Sequence, residues 1–210
     1  MSLKSLLLAP LLLALPGLAS AAPVFFGEVY ESDDRIGSLA DALSIVADNA
    51  PDATFLSTGI DYPNGSADQV KSKTAIADFL GADGASLSAA VGAVKTTVFR
   101  FTGYLDLAAG QETISLRSDD GFRLTIGGNV IGTMDLRPFR ETIFEVDAGE
   151  GVTAFEIVFF ENGGYTGIEF DIDGKTAAPA PTPVPLPAGG LLLVTALGGI
   201  AVLRRRAKRA

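Results

Sequence analysis

The strongest constraint on the fold of this 210-residue chain is the alternation of apolar and polar residues between Thr96 and Asp173. Successive side chains of a β-strand point to opposite faces, so an alternating run indicates a strand with one buried face. Short strands separated by glycine-, asparagine- and aspartate-rich turns predict a mainly β chain folded as an antiparallel β-sandwich. The apolar positions of these runs include Phe99 and Phe101, Leu105 and Leu107, Ile114 and Leu116, Phe122 to Ile126, Phe144 and Val146, Phe155 to Phe159, and Ile168 to Ile172.

The segment from residue 22 to residue 95 is less regular and predicts one or two short helices. Ser32-Asp33-Asp34 precedes apolar residues at helical spacing from Ile36 to Ala47, which favours a helix with its capping residues in front and Pro51 behind. Asp33-Asp34 is therefore interpreted as a helix start and not as a second metal site. The remaining predictions are strands at Val24–Phe26, Thr54–Leu56 and Ile60–Tyr62, a short helix or amphipathic loop at Thr74–Leu80, and a covering loop at Gly81–Ala93.

An acidic turn, Ser118-Asp119-Asp120-Gly121, follows one predicted strand and leads into the next, which ends in a Gly127-Gly128 hairpin signal. Two adjacent carboxylates repel each other unless a cation, hydrogen-bond donors or water separate them. Calcium takes hard oxygen ligands of this kind. By itself, however, Asp-Asp-Gly is more often a solvated turn, because aspartate and glycine favour turns.

Composition excludes several classes of site. The chain has neither cysteine nor histidine, which excludes disulfides, Cys/His zinc sites, and catalysis that depends on a histidine base. All 25 acidic residues lie between the first 21 and the last seven residues, and only 10 of the 16 basic residues lie there, so that this part has a net charge of −15. Phosphate backbones and anionic lipids would be repelled, which excludes nucleic acid as a partner and favours cations.

Residues 1–21 are predicted to be a secretory signal peptide. Lys4 gives a positive start, Leu6 to Leu18 is almost wholly apolar, and Ala19-Ser20-Ala21 fits the small-x-small cleavage rule. A membrane-anchoring helix is disfavoured, because prolines interrupt a run that is already short. The domain is expected to span residues 22–176.

The other end of the chain predicts a second targeting segment. A Pro-rich linker at 177–187 precedes an uncharged run at 188–203 and a basic tail at 204–210, an order that predicts one membrane-spanning helix with its tail in the cytoplasm. Val184-Pro185-Leu186-Pro187-Ala188 resembles the VPLPA-type C-terminal sorting signal, a relative of the PEP-type signals of Gram-negative bacteria. The resemblance implies a transient inner-membrane anchor, cleavage by an exosortase-like protease, and release or attachment at the cell surface or extracellular matrix. A permanent anchor is the alternative.

Four sequence segments together resemble one known domain. They are Phe101-Thr102-Gly103-Tyr104-Leu105, Ala109-Gly110, Ser118-Asp119-Asp120-Gly121, and Phe159-Phe160-Glu161-Asn162-Gly163-Gly164. This set is similar to the protective-antigen-type ("PA-fourteen") domain, a β-sandwich of adhesins, flocculins, a bacterial toxin and many glycosidases. The resemblance implies that Asp119 and Asp120 are joined by a cis peptide and bind calcium, that the calcium binds sugar hydroxyls, and that Asn162 is a further ligand.

Three neighbouring positions have open roles. Tyr165 either stacks on a sugar ring or plugs the end of the sandwich, and plugging is favoured. Asn129 is interpreted as a hairpin-turn residue. The loop Asp135–Arg140 either borders the site or is a solvated connection, and the solvated connection is favoured.

Three functions from different classes follow. The first is an exported, calcium-dependent carbohydrate-binding module, of a lectin or adhesin kind, that engages exopolysaccharide or another cell. The second is a structural surface or matrix protein in which the Asp119-Asp120 turn only supports the fold. The third is a glycoside hydrolase, which needs two carboxyl groups roughly 5–9.5 Å apart across a cleft. Adjacent residues on one turn do not give that geometry, so the chain is expected not to be an enzyme.

Overall fold

The computed structural model describes residues 22–63 and 69–182, which form two packed antiparallel β-sheets and two short α-helices. The first sheet has the strand order β2-β1-β5-β10-β7-β8, and the second has the order β12-β11-β6-β9 with β3 and β4 also paired to β11. The strands are β1 Phe25–Glu31, β2 Ala53–Ser57, β3 Asp61–Tyr62, β4 Val70–Lys71, β5 Thr97–Leu107, β6 Gly110–Asp119, β7 Phe122–Ile126, β8 Asn129–Met134, β9 Arg140–Ala148, β10 Gly151–Glu161, β11 Tyr165–Ile172 and β12 Lys175–Thr176. The predicted antiparallel, mainly β architecture is confirmed.

The main core lies between the two sheets and is rich in phenylalanine. Alternate residues of β5 and β10 point inward, so that Phe99, Phe101 and Phe159 are fully buried and their rings stack at centroid distances of 6.0–6.2 Å. The second sheet contributes Ile114, Leu116 and further apolar residues to the same cluster. The period-two pattern that predicted the strands is therefore the pattern that builds the core.

Helix α1, Leu39–Asp48, packs on the outer face of the first sheet and makes a second, smaller core. Its N-cap is Ser38, whose hydroxyl accepts a hydrogen bond from the Asp41 N–H. The interpretation of Asp33-Asp34 as the helix start was therefore wrong, because both residues lie in a bend before the cap. Several residues in this region are polar enough to cap a helix, and the local pattern did not single out Ser38.

Helix α2, Ile76–Leu80, and a following 3-10 turn at Gly81–Ser86 cover one side of the core. The predicted short helix is confirmed, whereas the predicted covering loop begins as a helical turn. Asp83 fixes this turn, since its buried carboxylate accepts hydrogen bonds from Thr58 and from the Tyr62 hydroxyl.

The acidic turn connects the two sheets. β6 belongs to the second sheet and β7 to the first, so Asp120 and Gly121 carry the chain across the sandwich. The predicted turn between two strands is confirmed, but the two strands belong to different sheets and do not form a hairpin. The expected hairpin is confirmed: Gly127 and Gly128 adopt φ of 57° and 81° between β7 and β8.

Both ends of the described chain lie away from the acidic turn. Beyond β12, Ala177 and Ala180 are buried, and the Ala180 N–H donates to the Tyr104 carbonyl at 2.8 Å near the far end of β5. The first part of the predicted linker thus packs on the sandwich. Within residues 22–63 and 69–182 no helix is long and apolar enough to cross a membrane. The predicted signal peptide, the motif Val184–Ala188, the 188–203 helix and the basic tail lie outside the described residues.

Candidate metal and ligand site

Three carboxylates meet at one end of the sandwich. Asp119 is the last residue of β6, Asp120 follows it, and Glu161 is the last residue of β10. One carboxylate oxygen from each lies within 4.8 Å of the other two. Because β6 and β10 belong to opposite sheets, the crossing at Asp120 is what brings the three together.

Hydrogen bonds from neighbouring loops hold the two aspartates. The Gln69 amide donates to Asp119 Oδ2 at 2.6 Å, and the Asn162 N–H donates to Asp120 Oδ2 at 2.9 Å. The Ser118 hydroxyl donates to the Asp120 carbonyl at 2.8 Å. The Asp119–Asp120 peptide bond is cis, as the resemblance implied.

The carboxylates are withdrawn from water to different degrees. Glu161 is fully buried, Asp120 is 8% exposed, and Asp119 is partly buried. Burial raises the pKa of Glu161 to about 8, and the charge of Asp120 acts in the same direction. Burial likewise raises the pKa of Asp120 to about 6, although the hydrogen bond from the Asn162 N–H lowers it. Burial also raises the pKa of Asp119.

No basic side chain of the described residues forms a salt bridge with these carboxylates. Arg137 is nearby and buried, but its guanidinium donates to the Ser118 carbonyl, the Thr142 hydroxyl and the Arg140 carbonyl. One oxygen of Glu161, Oε2, is buried without any hydrogen-bond partner. The cluster therefore has no direct ion pair with a basic side chain of the described residues, although the charges of Arg137 and Arg35 lower the pKa values of Asp119 and Asp120 from a distance.

The loop Asp135–Arg140 borders this cluster, the alternative that the sequence analysis disfavoured, although four of its six residues are exposed to solvent. The backbone N–H groups of Arg137 and Phe139 face Asp120 and Asp119 respectively. The Arg137 guanidinium also lies 5.5 Å from the centre of the Phe122 ring. Arginine and phenylalanine in a short polar loop look solvated in the sequence, and only the packing of the two sheets buries Arg137 and half-buries Phe139.

Glu161 is the site residue that sequence reasoning missed. In the sequence, Glu161 was noted only as part of the Glu-Asn-Gly-Gly segment. In the structure it is the last residue of β10 and follows four buried residues. A glutamate that directly continues the apolar run Ile157–Phe160 was the available signal, since charged residues are rarely buried without a partner.

The other predicted residues take different positions around the cluster. Asn162 contacts Asp120 through its backbone, while its side-chain Oδ1 accepts a hydrogen bond from Arg35 Nε at 3.3 Å. Tyr165 is 53% exposed, so it does not plug the sandwich. Asn129 begins β8 directly after the Gly127-Gly128 turn, away from the carboxylates, in agreement with its assignment as a turn residue.

The donor set fits a hard divalent cation. Three convergent carboxylates, one with a buried oxygen that lacks a partner, offer the oxygen ligands that calcium prefers. A cavity of about 520 Å³ lies elsewhere, on the outer face of the first sheet between Phe26 and Tyr104.

The sequence matches no protein-family model and no curated protein. Among solved structures, the PA14 sugar-binding domain from an RTX adhesin shows 27% sequence identity and a TM-score of 0.62, and the match covers 76% of this chain and 96% of that one. The PA14 domain of the antifreeze protein MpAFP shows 25% identity and a TM-score of 0.63, covering 79% and 92% of the two chains.

A third similar structure shares the fold alone. The epithelial adhesin 9 A domain from Candida glabrata, solved in complex with Galb1-4GlcNAc, has 10% identity and a TM-score of 0.53, and the match covers 79% of this chain and 93% of that one. The structural neighbours thus include sugar-binding and adhesin domains, and the expected protective-antigen-type fold is confirmed.

Proposed function

We propose that this chain is an exported surface or matrix protein whose domain binds carbohydrate with the help of a calcium ion. The observation that carries the proposal is the cluster of Asp119, Asp120 and Glu161, three carboxylates within 4.8 Å of one another that no salt bridge among the described residues neutralises. Carboxylates held this close are stable together when a cation or protons lie between them.

In this proposal Asp119, Asp120 and Glu161 are the calcium ligands. Asn162 joins them through Oδ1 when it exchanges its contact with Arg35. A bound calcium ion has six to eight oxygen ligands, so sugar hydroxyls complete a shell that the protein leaves open. Gln69 and the Asn162 N–H fix the orientation of the aspartates before any ligand arrives, and this preorganisation lowers the entropic cost of binding.

Tyr165 is the proposed stacking platform for a sugar ring. Its side chain is 53% exposed. Asp119 faces Gly167 across the β6–β11 pair, and Tyr165 lies two residues from Gly167, so the side chains of Asp119 and Tyr165 leave the same face of the sheet. A metal ion that binds hydroxyls and an aromatic ring that covers the apolar face of the sugar complement each other.

The similar structures support the sugar-binding part of the proposal. The RTX adhesin domain is described as sugar-binding, and the Candida glabrata adhesin domain was solved with a disaccharide. These neighbours are binding domains, which fits a chain that is not an enzyme.

Export and surface display remain predictions from the sequence. The signal peptide at 1–21 and the VPLPA-type segment Val184–Ala188 support them. The last described residues support this arrangement, since the Ala180 N–H donates to the Tyr104 carbonyl at the end of the sandwich opposite the carboxylates. A domain tethered through this segment would present the carboxylate end outward, towards exopolysaccharide or another cell.

A glycan array probed with the mature protein in calcium and again in chelator tests the proposal. We expect a set of glycans to be bound in calcium only, and Glu161→Gln to remove that binding. Glu112→Gln is the matched control, because Glu112 is also a buried glutamate with an oxygen that lacks a partner, but lies at the opposite end of β6. Binding that is equal in chelator, or no binding to any glycan, would contradict the proposal.

The second candidate is a structural surface protein in which the acidic turn only supports the fold. One observation favours it: Asp119 and Asp120 already accept hydrogen bonds from Gln69 and Asn162, and so tie three loops together without a cation. This candidate predicts that replacing either aspartate lowers stability equally in calcium and in chelator.

A further inference from the structure

Seven of the ten basic residues of the domain fall into two spatial groups, and the other three are Arg137, Arg140 and Lys175. Arg100, Arg117 and Arg123 lie on the sheet faces, and each forms a salt bridge with a glutamate. Four others lie at the carboxylate end, are exposed and form no ion pair among the described residues: Arg35, Lys71, Lys73 and Lys95. In a domain with 25 acidic and 10 basic residues, unpaired cations gathered at one end need an explanation.

Specific contacts place these four residues around the loop that follows Glu161. Arg35 Nε donates to Asn162 Oδ1 at 3.3 Å on one side of this loop. Lys71 lies opposite Tyr165 in the β4–β11 pair, so the two side chains leave the same face of the sheet.

Lys73 and Lys95 flank Ser72. The Ser72 hydroxyl accepts from the Gly164 N–H at 3.0 Å, and the Ser72 carbonyl accepts from the Lys95 N–H at 2.8 Å. Asp33 and Asp34 precede Arg35 in the chain, but neither forms an ion pair with it. The carboxylate cluster is thus flanked by a basic rim, defined here as Arg35, Lys71, Lys73 and Lys95.

We propose that the ligand of this site is an acidic glycan whose sugars carry carboxylate groups, such as a polyuronate. The proposal rests on the carbohydrate-binding function above and specifies its substrate class. Its carboxylates are hard oxygen donors that fit calcium, and they also form charge-assisted hydrogen bonds with arginine and lysine. A neutral glycan has no charged group that could pair with the arginine and lysines of the basic rim.

The basic rim also explains how a domain with a strongly negative net charge can bind an acidic glycan. The net charge of −15 repels a polyanion at long range. The three carboxylates of the cluster add to this repulsion until calcium offsets them. At separations below a Debye length of about 8–10 Å, the nearby charges of the rim, and not the net charge of the domain, determine whether the acidic ligand is attracted or repelled.

The experiment measures the affinity of the mature protein, in saturating calcium, for uronate oligosaccharides and for the methyl esters of the same oligosaccharides. The esters keep the hydroxyls and remove the charge. We expect at least one uronate to bind about tenfold more tightly than its ester, because a hydrogen bond to a charged group contributes about 1.5 kcal/mol or more. This preference should decrease as salt is added.

The variants Lys71→Gln and Lys95→Gln should each lose most of the preference for the uronate while they bind the ester as the wild type does. Lys175→Gln is the control, since Lys175 is also exposed and has no ion pair with another described residue, but lies in β12 at the opposite end. Melting temperatures in calcium show whether each variant is folded, and the two rim variants test the proposal independently.

The possible outcomes distinguish failure of the acidic-ligand proposal from failure of the proposed carbohydrate-binding function. Esters and uronates bound equally, or rim variants that keep the preference, would overturn the acidic ligand and leave carbohydrate binding intact. A sulfated oligosaccharide bound in preference to all uronates would overturn the carboxylate assignment. No binding of any oligosaccharide, charged or neutral, would overturn the proposed function itself.

Discussion

At the scale of single residues, the groups proposed to bind calcium differ from the group proposed to stack on the sugar. Asp119, Asp120 and Glu161 provide negative charge for a cation, whereas Tyr165 is an exposed ring that touches none of the carboxylates by a hydrogen bond. Calcium binding and sugar binding should therefore respond differently to substitution.

Tyr165→Ala is expected to weaken glycan binding by about 1 kcal/mol, roughly fivefold, because an aromatic contact contributes about 0.5–1.5 kcal/mol beyond buried area. Its calcium affinity should equal that of the wild type, since no metal ligand is changed. Titration calorimetry with calcium and then with a glycan measures both constants on one sample. A variant that loses calcium affinity would show that Tyr165 supports the metal site.

The raised pKa values of Asp120 and Glu161 predict how stability depends on pH in chelator. Their folded-state pKa values of about 6 and about 8 exceed the ordinary values of 3.8 and 4.5. The folded state thus holds these protons more tightly than the unfolded chain, and the contribution to stability is complete below about pH 4 and is lost as the pH rises through 6 and 8.

Melting curves from pH 5 to pH 9 in chelator should therefore show decreasing stability. Saturating calcium should offset the decrease, because it favours the ionised carboxylates. Glu161→Gln should flatten the upper part of the curve, near pH 8, and Glu112→Gln should not. A chelated wild type that is equally stable at pH 5 and pH 8 would contradict the predicted pKa shifts.

At the scale of elements, the turn through Gly121 is the junction that assembles the site. A β-carbon at Gly121 would lie 2.4 Å from the Met134 carbonyl oxygen and 2.6 Å from the Phe160 ring. The backbone of the 134–135 segment therefore approaches the turn so closely that only glycine fits.

Gly121→Ala is expected to destabilise the domain by at least about 1–3 kcal/mol, the usual cost of overpacking, because backbone atoms must move. Gly149→Ala is the matched control: Gly149 is also a turn glycine, but nothing lies within 4 Å of its added β-carbon. Urea denaturation of both variants measures the difference. Equal urea midpoints for the two variants would contradict this expectation and show that the backbone at residues 134–135 moves at little cost in free energy.

Sequence reasoning succeeded where local pattern decides the structure and failed where tertiary contacts decide it. The alternation along β5 and β10 and the Gly127-Gly128 signal were sufficient, since each strand and turn follows from adjacent residues. The same alternation flanks Asp119-Asp120, but it does not reveal that the next strand belongs to the other sheet. Glu161 was missed for the same reason, because its burial and its neighbours arise only when the sheets pack.

At the scale of the whole molecule, the two ends of the sandwich carry different residues. One end carries the carboxylates and the basic rim, and the other receives the C-terminal segment through the hydrogen bond from Ala180 to Tyr104. This polarity suits a module that is attached at one end and binds at the other.

Processing of the C-terminus is expected at or near Val184–Ala188, which would remove the basic residues of the tail. Intact-mass spectrometry of the protein recovered from the cell surface or medium should find a chain without residues 204–210. A surface protein that retains Arg204–Arg206 would contradict processing and support a permanent anchor.

The central claim is that the three carboxylates bind one calcium ion, and the melting temperature of the mature protein in calcium and in chelator, at equal ionic strength, tests it most directly. A hundredfold excess of calcium over its Kd adds about 2.7 kcal/mol, or roughly 5–10 °C. We predict this shift for the wild type and for Glu112→Gln, and no shift for Asp119→Asn, Asp120→Asn or Glu161→Gln. Magnesium should replace calcium poorly, because it requires a tighter octahedral shell. An equal melting temperature in calcium and in chelator for the wild type, or an undiminished shift in the three site variants, would contradict the claim.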